Sequence, residues 1–227
     1  MIRTQTADDI CTVTLDRPAR RNALTPDALE ALRDAVETTD ASVVYLHGAG
    51  EAFCAGADLD VVADLDDESV EAFVRAGQRA ATALAETDVV TVAGIDGPAR
   101  GGGVELALGC DLRVATPAAT FAESGVSLGL FGAWGGTARL PRIVGLGEAM
   151  DLALTGRVID ADAALRMGLV SRVVEEPREI AETIAAHDPR ALQTIKTRLR
   201  DTASRADQED REAVAFASLL ETASLDD

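Results

Sequence analysis

Two glycine-rich segments and one glutamate are the residues of this chain whose types and spacing could carry out chemistry. The segments are residues 53–58 (FCAGAD) and 97–105 (GPARGGGVE), and each follows an apolar run typical of a β-strand. The second segment opens a predicted helix that carries Glu105. Backbone N–H groups freed by tight turns and by a helix N-terminus can hold a developing negative oxygen, which is often the largest catalytic contribution in acyl chemistry. The pattern predicts an oxyanion hole beside a carboxylate, and therefore an enzyme.

The predicted helix places Glu105 on a surface of glycine and leucine. Its neighbours one turn away are Gly101, Gly102, Leu108 and Gly109, and none of them can neutralise a carboxylate. Such a group either faces water or lies in a poorly solvated cavity, where desolvation raises its pKa toward the range useful for general acid–base catalysis. The apolar surroundings favour a catalytic glutamate over an ordinary solvated one.

The elements that must position these residues follow from the apolar patterns. Strands are predicted at residues 10–15, 42–47, 89–94, 111–115 and 169–174. Helices are predicted at residues 26–38, within 67–87, at 102–109, 135–144, 147–154, 160–167, from 188 onward, and at 205–221. In the 67–87 helix the apolar face includes Val70, Phe73 and Leu84. Strand, turn and helix recur first and helices dominate later, which predicts an α/β or α+β fold: a ββα body at residues 1–174 and a helical region at 175–227.

The composition limits the class of partner. The 227 residues carry 39 acidic and 21 basic side chains, a net charge of −18, and Lys196 is the only lysine. This charge repels nucleic acid and anionic lipid, so we expect neither nucleic-acid nor membrane binding. An ordinary acidic surface is one interpretation. The near-absence of lysine favours the other, a halophilic protein whose long-range repulsion is screened by concentrated salt.

The remaining sequence signals concern location and reactive side chains. The acidic start has no apolar signal core and no stretch is long enough to span a bilayer, so a cytoplasmic protein is expected. Cys11, Cys54 and Cys110 lie in apolar runs typical of buried free thiols, and Cys54 has no evident base partner. The only histidines, His47 and His187, suggest neither a metal site nor a catalytic triad.

Three ordered motifs resemble the crotonase superfamily, also called the enoyl-CoA hydratase/isomerase family. They are residues 53–58, 101–111 (GGGVELALGCD) and 135–141 (GGTARLP), and residues 15–18, 22–24 and 164–170 also resemble its signatures. The resemblance covers nearly the whole chain. It implies a spiral of ββα units whose C-terminal helical region packs homotrimers, often paired into hexamers. It also implies an acyl-CoA substrate that carries its own coenzyme A, with no separate cofactor and no metal.

The resemblance also assigns roles to particular residues. The backbone N–H groups of Ala57 and Gly102 would hold the thioester oxygen, and Glu105 would act on water. Substrate-binding positions would be Arg21, Ala23, Ala55, Asp58, Leu59, Gly101 and Gly125. Arg21 could meet a phosphate of coenzyme A or be an exposed loop arginine, and Asp58 could instead cap the following turn. Phe131 and Trp134 could wall the acyl pocket or simply pack.

Two departures from the family pattern bear on the reaction. Acidic Glu51 and Asp60 stand where relatives often have basic residues, which weakens the capture of a polyanionic ligand. The second glutamate of the hydratases falls at the position of Gly125 and is missing. If the segment is extended, Glu123 points to the same side as position 125 and could replace it; the alternative is one more surface acid.

We therefore expect an enoyl-CoA hydratase-like lyase of fatty acid metabolism. Glu105 would direct water to the β-carbon, and Glu123 or water would supply the proton for the α-carbon. Other chemistry of the same enolate stays open: thioester hydrolysis, decarboxylation, carbon–carbon cleavage or isomerisation, the last disfavoured by the missing second glutamate. A catalytically idle acyl-CoA-binding subunit is the alternative outside enzymes.

Overall fold

The computed structural model describes residues 1–223, and these form a mixed α/β fold. The strands are β1 (Ile2–Ala7), β2 (Ile10–Leu15), β3 (Val43–Gly48), β4 (Val90–Ile95), β5 (Pro98–Arg100), β6 (Leu112–Ala115), β7 (Thr120–Ala122), β8 (Ile159–Asp160) and β9 (Arg172–Val173). The helices are α1 (Pro26–Glu37), α2 (Leu59–Ala63), α3 (Ser69–Glu86), α4 (Gly102–Gly109), α5 (Gly136–Val144), α6 (Leu146–Thr155), α7 (Ala161–Arg166), α8 (Arg178–Ala185), α9 (Pro189–Leu199) and α10 (Arg205–Leu220). Short 3-10 helices span Pro18–Arg20 and Ser124–Leu128.

Two sheets organise the chain. The larger has the order β1-β2-β3-β4-β6-β9 and is parallel except for the antiparallel β1–β2 pair. The smaller has the order β5-β7-β8. Because successive side chains of a strand point to opposite faces, β3 serves two cores: Val44 and Leu46 join the main one, and Val43 and Tyr45 join a second one. Both faces of the large sheet are therefore covered.

Helices from different parts of the chain cover these two faces. The main core includes Leu29 and Leu32 of α1, with Phe73 and Leu84 of α3. The second core is closed by α8, whose Ala181 is fully buried. Helix α1 begins as its sequence predicts, since the Thr25 side chain caps it ahead of a proline at the first helical position.

The mixed fold and most of the predicted elements are confirmed, but several details of the prediction are wrong. Strand β9 has two residues because Leu169 and Val170 are buried in the turn after α7 instead of extending the strand. Val70 is exposed, so the buried face of α3 is formed by small residues around Phe73 and Leu84. Helices α2 and α8, the edge strand β1 and the strands of the smaller sheet were not predicted. The strand β1 is largely exposed and polar, so it carries no alternating apolar signal.

The predicted boundary between the ββα body and the helical region, at residue 174, stays a prediction. The helical region begins with α8 on β2 and β3, continues with α9 near β4, and ends with α10 on α9; its residues 224–227 lie outside the described part. Among the helices at residues 1–223, none is both long enough and apolar enough to cross a membrane.

Candidate active site

A buried asparagine shapes the loop before the first glycine segment. Asn22 adopts a left-handed backbone conformation and is 1% exposed. Its side-chain amide donates to the carbonyl oxygens of Ala49 and Ala52 at 2.9 and 2.7 Å. The loop is fixed further by Asp58, which accepts a hydrogen bond from the Asp60 N–H at 3.0 Å and pairs with Arg17. Asp58 therefore caps α2, as one of its two interpretations predicts.

Backbone pairing brings the two glycine segments side by side. The Cys54 N–H donates to the Pro98 oxygen at 3.2 Å, and the Arg100 N–H donates to the Cys54 oxygen at 2.9 Å. Gly56 has a φ of +86°, and a Cβ there would lie only 2.8 Å from the Gly102 nitrogen. Glycine is required at this position both for the backbone conformation and for the close approach. Ala57 is consequently held next to the start of α4.

Two backbone donors are left without partners where these segments meet. Gly102 is the first residue of α4, so its N–H has no acceptor within the helix. Within residues 1–223, neither this N–H nor that of Ala57 donates to a protein group. Gly101 has a φ of +45°, and nothing lies within 4 Å of the position its Cβ would occupy. Open space therefore adjoins the start of α4, and an oxyanion hole requires unpaired donors of this kind.

Glu105 lies in a poorly solvated position, as its neighbours predict. It is 2% exposed, and its Oε1 accepts hydrogen bonds from the N–H groups of Trp134 at 2.8 Å and Gly136 at 2.7 Å. Burial raises the pKa of this carboxyl group, and the two N–H groups oppose that rise. Oε2 takes part in neither hydrogen bond and is left to act on another group. The solvated-glutamate alternative is wrong.

Glu123 is a second buried carboxyl group. It is 7% exposed, and its Oε1 has no hydrogen-bond partner in the described chain. Burial, followed by the charge of Glu105, raises the pKa of Glu123 to about 8. The interpretation of Glu123 as a surface acid is therefore wrong.

The backbone geometry expected for this segment is also wrong. Strand β7 ends at Ala122 and a 3-10 helix begins at Ser124, so Glu123 occupies the junction and not an extended strand. The period-two argument does not apply there. A Cβ at Gly125 would lie 3.1 Å from the Leu130 oxygen, so this position faces the backbone of the following loop.

An apolar cavity of about 200 Å³ adjoins the two carboxyl groups. At one end are Glu123, Gly132 and Gly136, and Cβ atoms on the two glycines would lie 2.8 Å from the Glu105 carboxyl group. The other lining residues are Val126, Phe131, Thr137, Leu140, Pro141, Leu146, Ala149, Met150 and Ala153. Phe131 lines the cavity while remaining 70% exposed. The buried ring of Trp134 is not part of this lining and packs against Gly77 and Gly102.

Arginines surround the first glycine segment. Arg17 pairs with Asp58 and Arg20 with Asp60, so the acidic Asp60 is neutralised. Arg21 is exposed and pairs with no carboxylate of residues 1–223, which leaves its guanidinium available to a phosphate. Sequence reasoning missed a further arginine on the second segment, Arg100. Its guanidinium is oriented by the Thr120 oxygen at 2.8 Å and the Thr120 hydroxyl at 3.0 Å.

The other predicted positions lie on the same loops. Ala23 and Ala55 are half-buried, and the Ala55 N–H donates to the Arg21 oxygen at 2.9 Å. Leu59 is 57% exposed at the start of α2. Cys54 is fully buried, which raises the pKa of its thiol to about 12 and supports the prediction that it is not a nucleophile. The sequence did not predict that the loop at residues 132–136 anchors the Glu105 carboxylate. The glycines of this loop are the only sequence signal of that role.

The fold and site define a class of protein: an enzyme in which unpaired backbone donors at a turn and at a helix start accompany buried carboxyl groups. A family model described as enoyl-CoA hydratase/isomerase matches residues 5–224. The chain belongs to this family, with the crotonase fold, and is an enoyl-CoA hydratase-like enzyme.

Named relatives support this assignment. The chain is 36% identical over 198 residues to a short-chain-enoyl-CoA hydratase of Clostridium acetobutylicum, with 82% of this chain and 76% of the relative covered. It is 38% identical over 171 residues to a crotonyl-CoA hydratase of Syntrophomonas wolfei, covering 73% and 65% of the two chains. The crystal structure of an enoyl-CoA hydratase from Bacillus anthracis superposes with a TM-score of 0.91 at 33% identity, over 97% of this chain and 91% of that one.

Proposed function

We propose that this enzyme adds water across the double bond of a 2-enoyl-CoA. The observation that carries the proposal is the placement of two buried carboxyl groups at one end of an apolar cavity, Glu123 in its lining and Glu105 against its glycines Gly132 and Gly136. A pair of titratable groups whose environments differ can divide acid and base roles between them. In this reaction coenzyme A is part of the substrate, and no separate cofactor takes part.

The protons are assigned from the hydrogen bonding of each carboxyl group. Glu105 is fixed through Oε1, so Oε2 takes a proton from water as the oxygen bonds to the β-carbon. The electrons of the double bond move toward the thioester oxygen, which the N–H groups of Ala57 and Gly102 hold as an enolate. Glu123, protonated near neutral pH, then gives its proton to the α-carbon. A proton passing from Glu105 to Glu123 through solvent restores the enzyme.

Binding of the coenzyme A portion is proposed for the arginines near the first glycine segment. Arg21 and Arg100 carry positive charge that is not neutralised by a carboxylate among the described residues, whereas Arg17 and Arg20 are neutralised. Ala23, Ala55, Leu59 and Gly101 would contribute backbone and small-side-chain surface beside them. Arg21→Ala should raise KM about tenfold with little change in kcat, because phosphate contacts are the same in the ground and transition states.

The decisive experiment offers purified protein crotonyl-CoA and longer 2-enoyl-CoAs in concentrated potassium chloride, with product masses recorded. The expected product is heavier by one water. Glu105→Gln and Glu123→Gln should each lower kcat about 10²- to 10⁴-fold. Thioester binding without any turnover would contradict the proposal and indicate an idle subunit. Free coenzyme A, loss of carbon dioxide or cleaved carbon chains would indicate one of the other enolate reactions.

We also propose that the chain assembles as a homotrimer or a hexamer of two trimers. Helix α10 has no buried residue, and its Val214 and Phe216 are 73% and 69% exposed. Leu199 at the end of α9 is 82% exposed. Large apolar side chains left this exposed on the last two helices favour burial against another subunit. Light scattering should give three or six times the 23.6 kDa chain mass, and Phe216→Asp should shift it to the monomer.

The cellular setting is proposed from charge and thiol chemistry. The net charge of −18 with a single lysine supports a halophilic protein. The three cysteines are free and buried, which is compatible with a reducing cytoplasm. Within it, the apolar cavity next to the carboxyl groups suits the acyl chain of an intermediate in fatty acid metabolism.

A further inference from the structure

Trp134, the only tryptophan of the chain, contacts both parts of the site through different atoms. We propose that it is a positioning residue that fixes the Gly102 N–H and the Glu105 carboxylate relative to each other. The expected effect on turnover rests on the proposed function. The expected effect on thioester binding does not require hydration.

The indole ring supports the start of α4. Trp134 is 3% exposed. A Cβ at Gly102 would overlap the six-membered part of the ring, and a Cβ at Gly77 would overlap the five-membered part. The ring is therefore clamped between α3 and the residue that supplies one oxyanion donor. Phe73 meets its edge, with ring centroids 5.7 Å apart and planes at 76°.

The backbone of the same residue holds the acid–base group. The Trp134 N–H donates to Glu105 Oε1 at 2.8 Å. Its carbonyl oxygen accepts from the Arg139 guanidinium at 3.1 Å, and the Ala133 oxygen accepts from the Gln78 side chain at 2.9 Å. A shift of the indole ring must consequently move the hydrogen bond to Glu105, the Gly102 backbone, or both.

Misplacement of these groups should affect the transition state more than substrate binding. The enolate oxygen gains charge as the reaction proceeds, so the alignment of its donors contributes most at that stage. A displacement of about 1 Å can cost about 10²-fold in rate. The remote contacts of the coenzyme A portion are unaffected by the ring.

Two substitutions test this from opposite sides of the ring. Trp134→Leu removes the support, and Gly77→Ala adds a methyl group on α3 that pushes the ring toward Gly102. Each should lower kcat about 10²-fold with KM raised by about tenfold at most, and Trp134→Phe should recover part of the loss. Leu84→Val alters another buried position of α3 and serves as the control, with kcat unchanged. Unchanged kcat in cooperatively folding Trp134→Leu protein, or an equal loss in Leu84→Val, would overturn the proposal.

Intrinsic fluorescence separates this proposal from the proposed function. Butyryl-CoA cannot be hydrated, and its titration should change the emission of Trp134 because the thioester oxygen binds at Gly102. The emission of free Gly77→Ala protein should differ from wild type, and its affinity for butyryl-CoA should be lower by about tenfold. If wild type hydrates no enoyl-CoA, the proposed function fails and these readings still decide the role of Trp134. If calorimetry shows that butyryl-CoA saturates the protein while the Trp134 emission stays unchanged, the positioning role of Trp134 is overturned.

Discussion

At the scale of single residues, the two buried carboxyl groups differ in how their charge is supported. Glu105 accepts two backbone hydrogen bonds, whereas Glu123 has an oxygen with no partner in residues 1–223 and an interacting negative neighbour. An unsupported buried carboxylate is costly, so the proton is retained instead. In the proposed hydration, this difference lets Glu105 act as the base and Glu123 as the acid at the same pH.

The pH dependence of activity and stability should follow from Glu123. The hydration rate should fall above pH 8, as Glu123 loses its proton. The folded-state pKa of about 8 exceeds the ordinary 4.5, so the fold binds this proton more tightly than the unfolded chain does. Glu123 therefore contributes fully to the free energy of unfolding below pH 4.5. This contribution declines from pH 4.5 to about pH 8 and stays low above pH 8. In Glu123→Gln, this part of the decline should be absent.

Thermal unfolding measured from pH 5 to pH 9 checks the stability part. The wild-type Tm should fall by several degrees more than that of Glu123→Gln, since 1 kcal/mol corresponds to about 2 to 4 °C in a protein of this size. Exposed Glu51→Gln is the matched control and should follow the wild-type curve. Parallel curves for wild type and Glu123→Gln would show that Glu123 titrates normally.

At the scale of elements, the site depends on how closely α4 approaches the first glycine segment. Gly103 of α4 lies against the Cys54 backbone, and Gly56 lies against Gly102. Side chains larger than hydrogen would separate the two segments at these points. The glycines therefore control how closely the backbone at Ala57 approaches the Gly102 N–H, and a change in one loop should displace the other.

Gly56→Ala tests this dependence. The new methyl group would lie 2.7 Å from the Arg100 oxygen and would require a left-handed backbone for alanine. We expect kcat to fall about 10²-fold or more, as for the loss of one oxyanion donor, with about 1 to 3 kcal/mol of destabilisation. Steady-state kinetics and denaturant unfolding measure the two effects. Gly147→Ala is the control, because its Cβ would meet nothing within 4 Å; retained activity in Gly56→Ala would contradict the tight approach.

The buried lysine joins α9 to the large sheet. Lys196 Nζ donates to the Val89 oxygen at 2.6 Å and pairs with Asp111 at 2.9 Å, and its side chain is 8% exposed. Lys196→Met should lower the free energy of unfolding by about 3 kcal/mol, because one partner of a buried ion pair is removed. Denaturant titration measures the change. Arg205→Met breaks an exposed pair with Glu209 and should cost less than about 1 kcal/mol. Equal effects of the two substitutions would show that burial of the lysine contributes nothing.

At the scale of the whole molecule, the net charge of −18 opposes the compact state. Ion pairs such as Arg20–Asp60 neutralise only part of the acidic surface. The proposed assembly would add to the repulsion by bringing several such chains together. Stability and assembly should therefore both depend on screening by salt.

Potassium chloride should stabilise the protein over a wide range. Raising its concentration from 0.1 to 1 M shortens the screening length from about 10 to 3 Å, and we expect the Tm to rise by at least about 10 °C. Calorimetry across this range, with light scattering for the oligomer, provides the measurement. Sucrose at matched osmolality is the control for preferential exclusion, and a Tm independent of salt would contradict the halophilic proposal.

The sequence predicts what local patterns and near neighbours control. Helix α4, the two glycine segments and the poor solvation of Glu105 were correctly predicted because they depend on residues close in the chain. The anchoring of Glu105 by Trp134 and Gly136 was not, because it joins groups about 30 residues apart through backbone N–H atoms. The burial of Glu123 was left open, and the extended geometry considered for residues 123–125 was wrong, because a 3-10 helix begins at Ser124.

The position of the single lysine has a chemical consequence for an enzyme that works on thioesters. Acyl-CoA thioesters acylate free amines, and exposed lysine side chains are the usual targets on protein surfaces. Here the one lysine side chain is covered by the protein and engaged with the Asp111 carboxylate and the Val89 carbonyl. Arginine supplies the other basic side chains, and its guanidinium stays protonated. The side chains at the surface of this enzyme therefore offer no lysine amine to be acylated by the substrate that it handles.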